Sequence, residues 1–105
     1  MDANYASSLN ELGRFEETKS LMRRQMPVAQ RVLGEGHEIT LKMRWIYAQS
    51  FYMNDSATLD DLRKAVTTLE DTERTARRVL GGAHPLTAGI EVDLKGSRAE
   101  LRELK

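Results

Sequence analysis

The stretch R-V-L-G-E-G-H-E-I-T, from Arg31 to Thr40, returns as R-V-L-G-G-A-H-P-L-T from Arg78 to Thr87, with Arg, Val, Leu, Gly, His and Thr in register. The two copies begin at 31 and 78, a period of 47 residues. A fixed spacing of this size marks an array that stacks one supersecondary unit on the next, because a single unit cannot bury its apolar face alone. Such arrays present extended surfaces to other proteins, so the first expectation for function is binding.

In each copy the Leu-Gly step reads as the end of one helix, and the residues after His as the start of the next. Working outward, Tyr5, Ala6, Leu9 and Leu12 fall at helical spacing within Asp2 to Leu12, with Gly13 placed for a left-handed cap. Phe15, Thr18, Leu21, Met22, Met26, Ala29 and Leu33 trace a second stripe that ends at Gly34. Pro27 interrupts it. A proline there removes one backbone bond and crowds the Arg23 carbonyl, at roughly 3 kcal/mol, which predicts a kink or break between Arg23 and Pro27.

Glu38 to Met53 carries Leu41, Trp45, Ala48 and Tyr52 on one face with Ile46, Tyr47 and Phe51 beside it. That apolar stripe is broad enough to touch two neighbouring helices, and this segment is expected to be the most buried. After the break at Asn54-Asp55-Ser56, Thr58 with Asp60 and Asp61 suits a capped, dipole-matched start to a helix that runs through Leu80 to Gly81-Gly82. A last helix begins at Pro85 and runs to about Leu104, with Ile90, Leu94, Leu101 and Leu104 on one side. Gly89 and Gly96 each cost it about 1 kcal/mol relative to alanine, so it is expected to fray unless it packs as a terminal lid. No segment alternates with β-branched enrichment, so no strand is expected. The fold class is all-α, with five helices in short antiparallel hairpins.

The 105 residues suit one domain. Sixteen basic and sixteen acidic side chains cancel, so no global field draws the chain to nucleic acid or an anionic membrane. The absence of cysteine excludes disulfides and thiolate metal sites. No apolar run approaches the length of a membrane span, and Met1 to Ser8 lacks the basic and apolar regions of a secretory signal. The cytoplasm is the expected compartment.

Paired in this way, Ala6 and Ala48 share the small position of a first helix, and Thr18 and Ala65 that of a second. Tyr5-Ala6, Leu9 and Leu12-Gly13-Arg14-Phe15-Glu16-Glu17 resemble the tetratricopeptide signature, in which a small residue and a Gly-aromatic turn let two helices cross closely. The R-V-L-G-x-x-H-x-x-T element is similar to the long repeat of the kinesin light chain type, where L-G-x-x-H-P-x-T-L joins successive repeats. The resemblance covers nearly the whole chain, as about two and a half repeats: 1–36, 37–83 and a terminal helix in 84–105. It implies a right-handed superhelix whose first-type helices line a concave groove for segments of partner proteins. In the family an asparagine pair in each first helix often bonds the peptide backbone. Here Asn4 matches one member, while Trp45 and Ile46, then Val92 and Asp93, stand at the later places. Glu38 stands where the family has proline, and the turn around Asn54 to Asp61 is longer than usual. The expected partner-binding residues are therefore Asn4, Lys42, Arg44, Trp45 and Gln49.

Chemistry finds little support against packing. His37 and His84 are repeat equivalents just before helices and read as turn or cap residues rather than metal ligands. Gly34, Gly36, Gly81 and Gly82 form no phosphate-loop pattern. Glu16-Glu17 and Asp60-Asp61 lie in first turns, where the helix dipole accounts for them. No nucleophile sits in a recognisable setting, so no enzyme, cofactor or metal is expected. Trp45 reads two ways, as core packing, the heavier reading, or as a groove anchor. Arg23, Arg24, Arg74, Arg77 and Arg78 read as a solvated face, with Glu70–Arg74 and Glu73–Arg77 as helix ion pairs. The resulting expectation is a non-enzymatic scaffold or adaptor that binds a protein or peptide segment, with neither nucleic acid nor membrane as partner. The alternative is a structural end-piece of a longer array that stacks or self-associates through exposed end helices.

Overall fold

Two glycines end two helices in the same way. Gly34 and Gly81 take φ of 94° and 91°, a region that a side chain would strain, and the chain reverses through His37 and His84. The His37 backbone N–H donates to Gly34 O and that of His84 to Gly81 O, at 3.4 and 3.3 Å. Each imidazole Nδ1 then accepts the backbone N–H two residues on, from Ile39 and from Leu86, at 3.1 Å in both cases. Both histidines thus satisfy an orphan donor at a helix start.

The computed structural model describes residues 3–104. They form five helices and, among the described residues, no strand: α1 (Ala3–Glu11), α2 (Phe15–Leu33), α3 (Glu38–Tyr52), α4 (Leu59–Leu80) and α5 (Pro85–Leu104). The expected beginning of the first helix at Asp2 lies outside the described residues. At the other end of α1, Arg14 N–H donates to Leu9 O and Gly13 N–H to Asn10 O around Gly13 at φ 76°. These two bonds make the Schellman arrangement that Gly13 predicted. None of the helices described is long and apolar enough to cross a membrane.

Each helix packs on the next, and α3 also packs on α1 and α5. Ion pairs give the directions. Glu70 meets Arg98 at 2.8 Å and Glu91 meets Arg77 at 3.1 Å, so α5 rises as α4 descends. Thr40 at the start of α3 donates to Ala29 O near the end of α2, at 3.4 Å. The crossings use small residues: Ala6, Thr18, Ala48 and Ala65 are all fully buried. The turns of successive pairs also touch, since a Cβ added at Gly36 would stand 3.0 Å from the Val79 side chain.

Helix α3 feeds two cores. Met43 and Ile46 join Ala6, Met22 and Ala29 on one side. Leu41 and Ala48 join Val66, Leu69, Leu86, Ile90 and Leu94 on the other. This is the two-sided stripe expected of the segment.

Two expectations are corrected. Of the kink or break expected near Arg23 to Pro27, the break does not occur, since helix α2 runs through Pro27. Pro27 and Arg23 both lie on the exposed side of α2, where water can offset part of the cost of the lost backbone bond. Arg74 pairs with Asp71 at 3.4 Å rather than with Glu70, which reaches across to Arg98. The Arg77–Glu73 pair forms as expected, at 2.8 Å.

Thr58 caps α4: its hydroxyl accepts the Asp61 N–H, and the Asp61 carboxylate accepts the Thr58 N–H, at 3.1 and 3.0 Å. That backbone bond is the main cause holding Asp61 below the ordinary carboxylate value. A depressed folded-state pKa contributes stability above the unfolded value, about 3.9, and loses it as pH falls through the folded value. Thr58→Ala should cost about 1 kcal/mol in urea unfolding at neutral pH. The deficit of Asp61→Ala should shrink as the pH is lowered below about 4; a deficit constant with pH would show that the carboxylate charge plays no part.

Candidate functional site

Lys42, Trp45, Gln49 and Tyr52 recur at helical spacing and share one face of α3, the face turned to α5. Opposite them stands Asp93. Its Oδ2 accepts the Trp45 indole N–H at 2.6 Å, the Gln49 amide at 3.4 Å and the Tyr52 hydroxyl. A single carboxylate oxygen therefore gathers three donors from one neighbouring helix. Burial is the largest cause raising the Tyr52 phenol well above its ordinary value, followed by its hydrogen bond to Asp93 and the charge of that carboxylate.

Gly89, one turn before Asp93 on α5, completes the seat of the indole. A Cβ at this position would come within 2.4 Å of the Trp45 ring. The glycine that looked like a helix penalty thus makes room for the only tryptophan in the chain. The same ring packs against the α3–α4–α5 core, so Trp45 is both a packing residue and part of the surface seam.

A cleft lies at each end of this knot. One, of about 440 Å³, is bounded by Glu38, Lys42, Trp45, His84, Pro85 and Leu86. The other, of about 540 Å³, carries Asp55, Glu100 and Glu103 beside Tyr52 and Met53. Lys42 is exposed and makes no ion pair among the described residues, and the same is true of those three carboxylates. The two ends differ in charge: the cleft beside Trp45 carries an ammonium, Lys42, together with a carboxylate, Glu38, both unpaired among the described residues, while the other carries carboxylates alone.

Of the five residues expected to bind a partner, Lys42, Trp45 and Gln49 come together here. Arg44 does not. Its guanidinium bridges to Asp71 on α4 at 2.5 Å, and its side chain is only 11% exposed. Asn4 is exposed on α1, which packs on α2 and α3 but not on α5. Asp93, Tyr52 and Gly89 were missed as site residues. The repeat alignment sets Asp93 level with Ile46, and both positions accept a hydrogen bond from the preceding first-type helix, Ile46 through its backbone carbonyl and Asp93 through its carboxylate. Asn10 Nδ2 on α1 donates to Ile46 O on α3 at 3.1 Å, just as Tyr52 on α3 donates to Asp93 on α5.

Among the described residues, no group of three or more His, Cys, Asp or Glu side chains could hold a metal ion. Comparison of the chain with protein-family models, with curated proteins and with solved structures finds no match.

The two interior glycines of α5 should respond oppositely to alanine. Gly96 has nothing within 4 Å of an added Cβ, so Gly96→Ala should stabilise by about 1 kcal/mol. Gly89→Ala should destabilise by about 1–3 kcal/mol, because the indole is pinned by Asp93 and cannot give way cheaply. Urea unfolding measures both, and equal stabilisation by the two changes would show that Trp45 is free to move. A raised phenol contributes stability that is complete below the unfolded value, about 10, and is lost as pH rises through the folded one. In an ultraviolet titration the Tyr52 step should therefore lie above the ordinary phenol range. Replacing Tyr52 by Phe should remove that raised step; a titration curve in which the raised step persists would contradict the assignment.

Proposed function

We propose that the chain is a short right-handed array of tetratricopeptide helix pairs of the kinesin light chain type, divided at 1–36, 37–83 and 84–105. In this reading it is a non-enzymatic cytoplasmic scaffold that holds a protein or peptide segment along the face made by α1, α3 and α5. The observation that carries the proposal is the α3–α5 seam, with its fixed indole and the cleft beside it. An unpaired ammonium on Lys42 stands beside the edge of a rigidly seated indole, next to a cleft of about 440 Å³, a size suited to one or two side chains of a bound segment. Aromatic anchors fixed by hydrogen bonds lose little entropy on binding, and a nearby unpaired charge supplies orientation. The recurrence of the first-helix contact, Asn10 to Ile46 and Tyr52 to Asp93, supports a stacked array.

A second reading, association of copies through the ends, is favoured by Val32. It is 65% exposed at the end of α2, and its repeat equivalent Val79, beside Gly36, is itself 50% exposed, so both leave apolar surface that a second copy could cover. Sedimentation across a concentration series distinguishes it, because end-to-end stacking raises the mass and Val32→Glu reverses the rise.

The scaffold reading is tested by selecting natural protein segments from a display library on the purified chain. Lys42→Glu serves as the counter-screen, since this exposed side chain supports no packing. Enriched segments should share a motif and lose about tenfold in affinity on the variant, whose melting is unchanged. No enrichment, or equal binding to the variant, would overturn the assignment of the seam.

A further inference from the structure

Helices α2 and α4 both pack on α3 and not on one another, which leaves a furrow between them floored by α3. The floor is aromatic: Tyr47 and Phe51 meet edge to face with centroids 5.1 Å apart. Arg63, Lys64, Thr67 and Thr68 of α4 form one wall, around a volume of about 330 Å³. Lys19 reaches in from α2. Its Nζ stands 4.6 Å from the Phe51 centroid, and that of Lys64 stands 5.9 Å from the same ring. Two ammonium groups from opposite walls thus converge on one phenyl ring.

Carboxylates balance part of this charge, Asp61 acting on both ammonium groups and each lysine having a partner of its own. Glu16, at 2.9 Å from Lys19, and Asp60, at 3.3 Å from Lys64, each lie a turn back along their helices, and neither lines the furrow. Arg63 makes no ion pair among the described residues. The lining therefore combines aromatic carbon, two threonines and cations, with no carboxylate. Lys19 is only 8% exposed and its ammonium is held by Glu16, so the cations that an arriving anion meets are Arg63 and Lys64 on the α4 wall.

We propose that this furrow binds a short acidic segment of a partner protein, with one bulky aliphatic side chain on the Tyr47–Phe51 floor and flanking carboxylates on Arg63 and Lys64. A basic segment would meet like charge on Arg63 and Lys64, and a purely polar one would leave the half-buried Tyr47 ring uncovered, Phe51 being 5% exposed. The floor residues lie on a different face of α3 from Trp45, Gln49 and Tyr52, so this surface is independent of the α3–α5 seam and can stand if that reading falls.

The experiment is fluorescence anisotropy with the full chain and the labelled peptide acetyl-Asp-Glu-Leu-Glu-Asp-amide, against its counterpart Lys-Arg-Leu-Arg-Lys. The acidic peptide should bind at least about tenfold more tightly, lose affinity as salt is raised, and shift the ring proton resonances of Tyr47 and Phe51. Arg63→Glu combined with Lys64→Glu should weaken it by about tenfold or more, while Lys42→Glu leaves it unchanged. Both side chains are exposed, and the milder Arg63→Gln, Lys64→Gln pair should weaken binding in the same direction if the charge-reversed chain does not fold. Equal binding of the two peptides, loss on Lys42→Glu rather than on the α4 variants, or displacement by oligodeoxythymidine as readily as by unlabelled peptide would overturn the proposal.

Discussion

Helix α3 has to bury two opposite faces at once, and the placement of every other helix follows from that requirement. Met43 and Ile46 call for apolar cover from α1 and α2, while Leu41 and Ala48 call for it from α4 and α5. A helix with apolar demand on both sides has little preference for one orientation, so direction must come from elsewhere. Small residues supply it. Where Ala6, Thr18, Ala48 and Ala65 allow the backbones to approach, the crossing points are set, and bulkier side chains there would cost about 1–3 kcal/mol in overpacking.

The two faces of α3 are sealed differently. Toward α1 the contact is apolar apart from the Asn10 amide on a backbone carbonyl. Toward α5 it is a polar knot around Asp93, whose carboxylate is kept from full solvation by the groups it holds. A buried polar cluster tolerates deletion of one member poorly, because each donor left behind costs about 1–3 kcal/mol. The knot therefore fixes the rotation of α3 and α5 about their own axes more stringently than apolar contact does. It also keeps aromatic and charged side chains at the surface in one arrangement.

Features decided by a few neighbouring residues were legible in the sequence. The Thr58 cap, the glycine stops at 13, 34 and 81, the start at Pro85 and the paired histidines all follow from local backbone rules. Features that depend on a second helix were not. Glu70 could not be read as the partner of Arg98 without knowing that α5 lies beside α4. Gly89 could be read only as a penalty until the indole of Trp45 was seen against it. At Pro27 the local rule allowed a kink or a break, and the helix continues through it because the position is exposed and water can serve the freed backbone group. Arg44 was within reach of the sequence: adjacent helix positions are rotated by about 100°, so a residue next to Trp45 could not share its face. The α2–α4 furrow was illegible, since it arises from two helices that fail to touch.

The seat of the indole has an optical consequence. Trp45 is the sole tryptophan, its N–H is bound to a carboxylate, and its edge borders the cleft beside Lys42. Its emission colour and its quenching by small solutes therefore report on one known place, with no label attached. A ligand that enters the cleft, or a disturbance that loosens α5 from α3, changes the solvent around that ring before the rest of the fold responds.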